Sequence, residues 1–140
     1  MEKDEKAVEL FATGKNCAQA VFCAFAADFG IDESTAAKIS SGLGGGVGRQ
    51  REVCGAVTGA TLALGMKFGP DKAAVYKAVQ RLSAKFKAET GAIVCRELLA
   101  GTGATTGGAP EARTAEYYRK RPCAELVRLA AALTAAEIAE

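Results

Sequence analysis

The sequence predicts an all-α protein. Apolar residues recur at three- and four-residue spacing through most of the chain, capping residues and glycines punctuate it, and no period-two stretch is long enough to form a strand. At 140 residues with 49% hydrophobic content the chain suits one core, so residues 1–140 are expected to form a single helical domain. The expected architecture is a compact bundle of about five to seven helices, with a glycine-rich loop before the central one.

Asp4 is placed to cap a first short helix carrying Val8, Leu10 and Phe11, which Gly14 ends in a left-handed turn. Asn16 caps a second helix in which Cys17, Ala20, Val21, Ala24 and Phe25 recur on helical spacing up to Gly30. A third starts near Asp32 or Ser34 and stops at Gly42. The stretch SGLGGGVGRQRE that follows is too rich in glycine for regular structure, because glycine loses more backbone freedom on ordering than any other residue. Helical spacing resumes at Val53, and Gly55, Gly59 and Ala63 lie four apart on one nearly bare face. An internal helix contact is the first reading of that face, and a homodimer seam the second.

Pro70 and Asp71 open a fifth helix with an apolar stripe of Val75, Val79, Leu82 and Phe86, and Gly91 closes it. Its Lys72, Lys77, Arg81, Lys85 and Lys87 read as a solvated face, since no aromatic residues interleave them to bind nucleic acid. A short helix around Cys95 to Leu99 precedes GTGATTGGAP, residues 101–110, whose composition is that of a flexible segment or lid. Pro122 suits the first turn of a final helix through Leu126, Leu129, Leu133 and Ile138.

A formal charge of +2 gives no long-range pull on a polyanion, so no nucleic-acid partner is expected. The uncharged run from Val53 to Met66 falls short of the roughly 20 residues that cross a bilayer, so no membrane partner is expected either. The charged start Met1-Glu2-Lys3-Asp4 has no apolar segment after it that would act as a secretory signal, which leads us to expect a cytoplasmic protein with reduced thiols. The chain has no histidine, which excludes Cys-His and Ser-His pairs and leaves thiolates and carboxylates as metal ligands.

Five cysteines then carry the chemistry. No CxxC pair occurs, so neither a zinc ribbon nor a thioredoxin motif is present. Cys17, Cys54, Cys95 and Cys123 each fall near a predicted helix start, where free amide groups and a partial positive charge favour thiolate over thiol. Such surroundings lower a cysteine pKa from about 8.5 into the range of roughly 3.5–7.5. Cys54 is the leading candidate, with Arg49 and Arg51 beside it and Gly44, Gly45, Gly46 and Gly48 able to bring backbone amides to a bound group. Gly44, Gly45, Gly46 and Gly55 are accordingly the candidate cofactor-binding residues. Cys23 lies about 240° round its helix from Cys17 and reads as packing.

GKNCAQAVFCAF, the GLGGGVG loop, VCGAVTGA, CRELL and PCAELV, in this order, resemble the C_GCAxxG_C_C family of redox-active proteins, named for its cysteine pattern. The resemblance places Cys17 at the first family cysteine, Cys54 with Gly55, Ala56 and Gly59 at the central motif, and Cys95 and Cys123 at the last two. This chain reads Cys54-Gly55-Ala56, where the family name writes glycine before cysteine.

The expected function is redox chemistry by four convergent cysteines, acting as thiol/disulfide pairs or as ligands to an iron-sulfur or other metal cluster, with a redox partner still to be identified. The alternative is a non-catalytic helical scaffold whose cysteines only pack and whose glycine face receives a partner. An oxidoreductase or electron-transfer role follows from the first reading and not from the second.

Overall fold

The structure, a computed structural model, describes residues 1–139. Among them are six helices of eight residues or more: α1 (Lys3–Ala12), α2 (Cys17–Ala26), α3 (Glu33–Ser40), α5 (Gly55–Phe68), α6 (Lys72–Thr90) and α9 (Cys123–Ala139). Short turns of helix join them at α4 (Gly44–Val47), α7 (Cys95–Leu98) and α8 (Ala115–Lys120). The fold is all-α; the described residues contain no strand, only an isolated antiparallel bridge between Val53 and Val94.

The capping residues act as their chemistry dictates. Asn16 forms a full capping box with Gln19, each side chain meeting the other's backbone amide at 2.9 Å. Asp32 and Asp71 cap α3 and α6, and Gly91 ends α6 at φ 94°. Three boundaries differ from expectation: α5 starts at Gly55 and not at Val53, which pairs with Val94, and two lie in the first helices. Helix α1 starts at Lys3 with Glu2 ahead of it and no side-chain cap, so Asp4 sits in the first turn, where its charge faces the helix dipole. Helix α2 ends at Ala26 and tightens into a 3-10 turn, Ala27–Phe29, before Gly30 turns left-handed.

Helices α1, α2, α5 and α9 close a ring, α1 on α2, α2 on α5, α5 on α9 and α9 on α1. Helix α6 packs outside against α5 and α9, and α3 against α2. The core within the ring is built from Phe11, Phe22, Phe25, Leu64 and Val127, and Phe86 and Leu82 of α6 extend it. The α6 basic face is only partly solvated: Arg81 and Lys85 reach Glu137 of α9 at 2.9 and 3.7 Å. Glu137 is 1% exposed, and the Arg81 guanidinium holds its carboxyl below the usual carboxylate range.

The bare face of α5 is an internal contact. A Cβ on Gly59 would lie 2.6 Å from the Ala18 carbonyl oxygen and 3.0 Å from its Cα, so glycine sets the approach of α5 to α2. The scaffold reading needed this face free for a partner, and α2 fills it.

Gly59→Ala is therefore expected to push α5 off α2 and to cost about 1–3 kcal/mol of stability, an overpacking effect. Gly65→Ala, where an added Cβ meets nothing within 4 Å, serves as the control. Equilibrium urea unfolding compares them; equal midpoints would show that the close approach does not constrain the bundle.

Candidate active site

Sequence places a cysteine at the start of four helical elements, and the ring brings those starts together. Cys17, Cys95 and Cys123 are the first residues of α2, α7 and α9, and Cys54 is the N-cap of α5. All four line one cavity of about 50 Å³, with Arg51, Arg113, Arg121 and Tyr117. Cys23 lies outside it, 4% exposed, with its thiol 3.8 Å from the Glu33 carbonyl oxygen, as expected of a packing residue.

Two local devices hold the cysteines in place. The Val53–Val94 bridge sends the Cys54 amide to the Ile93 carbonyl at 2.7 Å and the Cys95 amide to the Glu52 carbonyl at 2.6 Å, fixing Cys54 beside Cys95. The glycine stretch is the other device. It is a left-handed turn: Gly45, Gly46, Val47, Gly48 and Arg49 have φ of 66°, 70°, 63°, 59° and 65°. L-residues pay roughly 1–2 kcal/mol each in that conformation, which is why glycine dominates it. The turn presses on the bridge, since a Cβ on Gly46 would lie 2.7 Å from the Cys95 Cβ and from the Arg51 Cα.

The four candidate glycines divide accordingly. Gly45, Gly46 and Gly55 line the cavity, whereas Gly44 lies behind it against the Asn16 side chain. Gly55 gives α5 room beside Cys17, whose Cβ would be 3.2 Å from an added methyl. Close packing of the cysteine-bearing elements thus accounts for Gly44, Gly46 and Gly55.

The thiols are not alike. Cys17 and Cys123 line the same cavity, and their acidities shift in opposite directions. The hydrogen bond from Cys17 lowers the Cys123 pKa below its ordinary value, and Arg121, Arg113 and Arg51 lower it further against the cost of burial. Cys17 moves the other way, raised by its bond to Cys123 and then by burial. Of the pair, Cys123 is the more acidic thiol and Cys17 the less acidic one. By linkage, the pair's contribution to stability rises with pH from the folded Cys123 value up to the ordinary thiol pKa near 8.5, then falls as pH approaches the raised Cys17 value.

Cys54 corrects the expectation drawn for it. Burial pushes its thiol up to about 12, outweighing backbone hydrogen bonds from Ala56 and Val57. The arginines next to it in sequence are directed elsewhere. Arg49 bonds Gly107, Thr105 and Glu111, and Arg51 sends Nε to the Thr105 carbonyl at 2.9 Å and Nη1 towards Cys95 Sγ at 3.7 Å. Those contacts also tie the glycine-rich 101–110 segment to the turn.

Arg113, Tyr117 and Arg121 went unnoticed in the sequence. They belong to α8 and its flanks, six residues without an apolar stripe, and the available signal was Thr114, whose side chain caps the amide of Tyr117. Arg113 is fastened by the carbonyls of Phe11 and Lys15 at 3.1 and 2.9 Å and lies 4.4 Å over the Phe11 ring. Arg121 lies 4.5 Å over Tyr117.

Among the described residues, no group of three or more Cys, Asp or Glu side chains is disposed to hold a metal ion. No helix of the described residues is long and apolar enough to cross a membrane.

A helical ring that collects four cysteines from four helix starts around one cavity defines a thiol-bearing all-α protein. The chain belongs to the C_GCAxxG_C_C family, whose model, described as "Putative redox-active protein (C_GCAxxG_C_C)", matches residues 15–137. No curated protein and no solved structure matches it.

Iodoacetamide at neutral pH is expected to modify Cys123 before any other cysteine and to leave Cys54 untouched, as read by peptide mass mapping. The pH midpoint of Cys123 modification should lie below the ordinary thiol value and rise in Cys17→Ala, which removes the donor. First modification at Cys54 would contradict the assignment of the anion.

Proposed function

We propose that this protein is a dithiol redox protein in which Cys123 is the nucleophile and Cys17 its resolving partner. The observation that carries the reading is that both sulfurs line one cavity with the guanidiniums of Arg51, Arg113 and Arg121, whose charge favours a thiolate there. The Cys123 thiolate attacks one sulfur of an incoming disulfide, forms a mixed disulfide and expels the other half as a thiolate. Cys17 then attacks the Cys123 sulfur, its proton passing to a leaving thiolate as the Cys17–Cys123 disulfide closes. Two electrons move from the protein thiols to the incoming disulfide, and two equivalents of an external thiol restore the dithiol, themselves ending as a disulfide.

Cys54 and Cys95 form the second pair of the same cavity. Cys54 feels the charge of both Cys95 and Cys123, which supports passage of the disulfide inward by exchange. In that exchange one disulfide breaks as the other forms, with no further reactant. The protonated Cys54 is suited to waiting, since a thiol neither attacks nor is readily oxidised.

Oxidation of the reduced protein with one equivalent of diamide is expected to yield chiefly the Cys17–Cys123 disulfide, identified by non-reducing peptide mapping. Cys123→Ser should abolish the fast phase of thiol loss, while Cys17→Ser should trap a mixed disulfide on Cys123 when a small disulfide is added. Loss of thiols with no Cys17–Cys123 product would overturn the proposal.

A further inference from the structure

A second cavity of about 190 Å³ adjoins the first and shares with it Asn16, Gly45, Arg51, Arg113, Tyr117 and Arg121. Its walls add Arg49 and Glu111, so four guanidiniums meet a single carboxylate there. Arg49 and Arg121 are engaged with that carboxylate, and Arg113 with the carbonyls of α1 and its loop.

Arg51 is different. It is 5% exposed, and its Nη2 has no hydrogen-bond partner. Glu111 Oε1 stands 3.9 Å away, close enough to feel the charge and too far to accept a hydrogen bond. A buried guanidinium nitrogen left without an acceptor is costly, and a ligand oxygen at that position would remove the cost. Arg51 also lines the cysteine cavity, so its guanidinium borders both the second cavity and the space in which Cys123 lies.

We propose that this second cavity binds the carboxylate arm of a small anionic disulfide, with Arg51 Nη2 as its principal donor, and so presents the substrate's sulfur to Cys123. The inference rests on the dithiol reading above and adds the substrate class. The space is smaller than the roughly 300–1,000 Å³ of drug-sized pockets, which matches one short arm. Glu111 already shows what the site recognises: it is a carboxylate held by two arginines of the same wall.

The test uses three small symmetrical disulfides of similar length: dithiodipropionate, which is dianionic, hydroxyethyl disulfide, which is neutral, and cystamine, which is dicationic. Rates of thiol loss in the reduced full-length protein are normalised to those of a free peptide thiol at low ionic strength. We expect dithiodipropionate to react about tenfold faster than hydroxyethyl disulfide, with cystamine slowest, and the ratio to shrink on adding salt. Arg51→Met should bring the ratio near one. Should that variant fail to fold, Glu111→Gln serves instead and should raise the ratio by removing the competing carboxylate.

Calorimetry with suberate, a dicarboxylate of the same length that lacks sulfur, reads the anion site apart from thiol chemistry. Suberate binding that Arg51→Met or added salt weakens supports the site even if no disulfide forms, a result that would sink only the dithiol reading. Fast thiol oxidation with no charge preference and no suberate binding would overturn the anion site and leave the dithiol reading standing.

Discussion

Two helix-starting cysteines in one arginine-lined cavity organise this molecule. Cys17 and Cys123 start two helices of the ring, and the partial positive charges of those helix ends fall at the same spot as three guanidiniums. Gathering that much positive charge around a cavity of about 50 Å³ is unfavourable unless an anion sits within it. Glu111 answers Arg121 from the neighbouring cavity, and within the first cavity, whose lining has no carboxylate, a cysteine thiolate is the anion that the walls can supply. The arginines also distinguish the two cysteines, since Arg121, Arg113 and Arg51 together lower the Cys123 pKa, whereas at Cys17 the lowering by Arg113 is outweighed.

Burial and field act in opposition across a few ångströms. Cys54 is 4% exposed and Cys123 7% exposed, so solvent access hardly distinguishes them, yet their acidities diverge. What differs is where the cations point. The left-handed glycine turn carries Arg49 and Arg51 past Cys54 and onto the 101–110 segment and the second cavity. Placing Val47, Arg49 and Arg51 at positive φ is expensive for residues with a Cβ, and the turn is held by Gly46 against the Val53–Val94 bridge. Strain there is coupled to the position of Cys95, whose Cβ is what an added methyl on Gly46 would strike.

The helices were legible because caps and periodicity are local signals. Asn16, Asp32, Asp71 and Gly91 lie where hydrogen-bonding and left-handed turns require them, and the apolar stripe of α6 buries Leu82 and Phe86 as its spacing implies. The placement of cysteines at helix starts was legible for the same reason, and it foretold a common cavity. What sequence did not carry is the sign of each thiol's response. Helix ends and neighbouring arginines favoured Cys54, but acidity depends on desolvation and on the direction of side chains several bonds long, both of which arise only on packing. Arg113 and Arg121 reach the site from either side of a six-residue helix that no apolar pattern announces.

The asymmetry of the Cys17 and Cys123 pair also gives the proposed cycle a direction. In a disulfide between them, the sulfur with the lower pKa is the better leaving group, and that is Cys123. An attacking thiolate therefore gains most by striking Cys17 and expelling Cys123 into the field of its guanidiniums. Cys17 is also the partly exposed member, whereas Cys54, Cys95 and Cys123 are buried. Electrostatics thus fixes which sulfur departs and accessibility fixes which is reached, and the two select the same bond polarity. Oxidation begins at Cys123, reduction begins at Cys17, and the arginines that make the first a nucleophile make it the leaving group in the second.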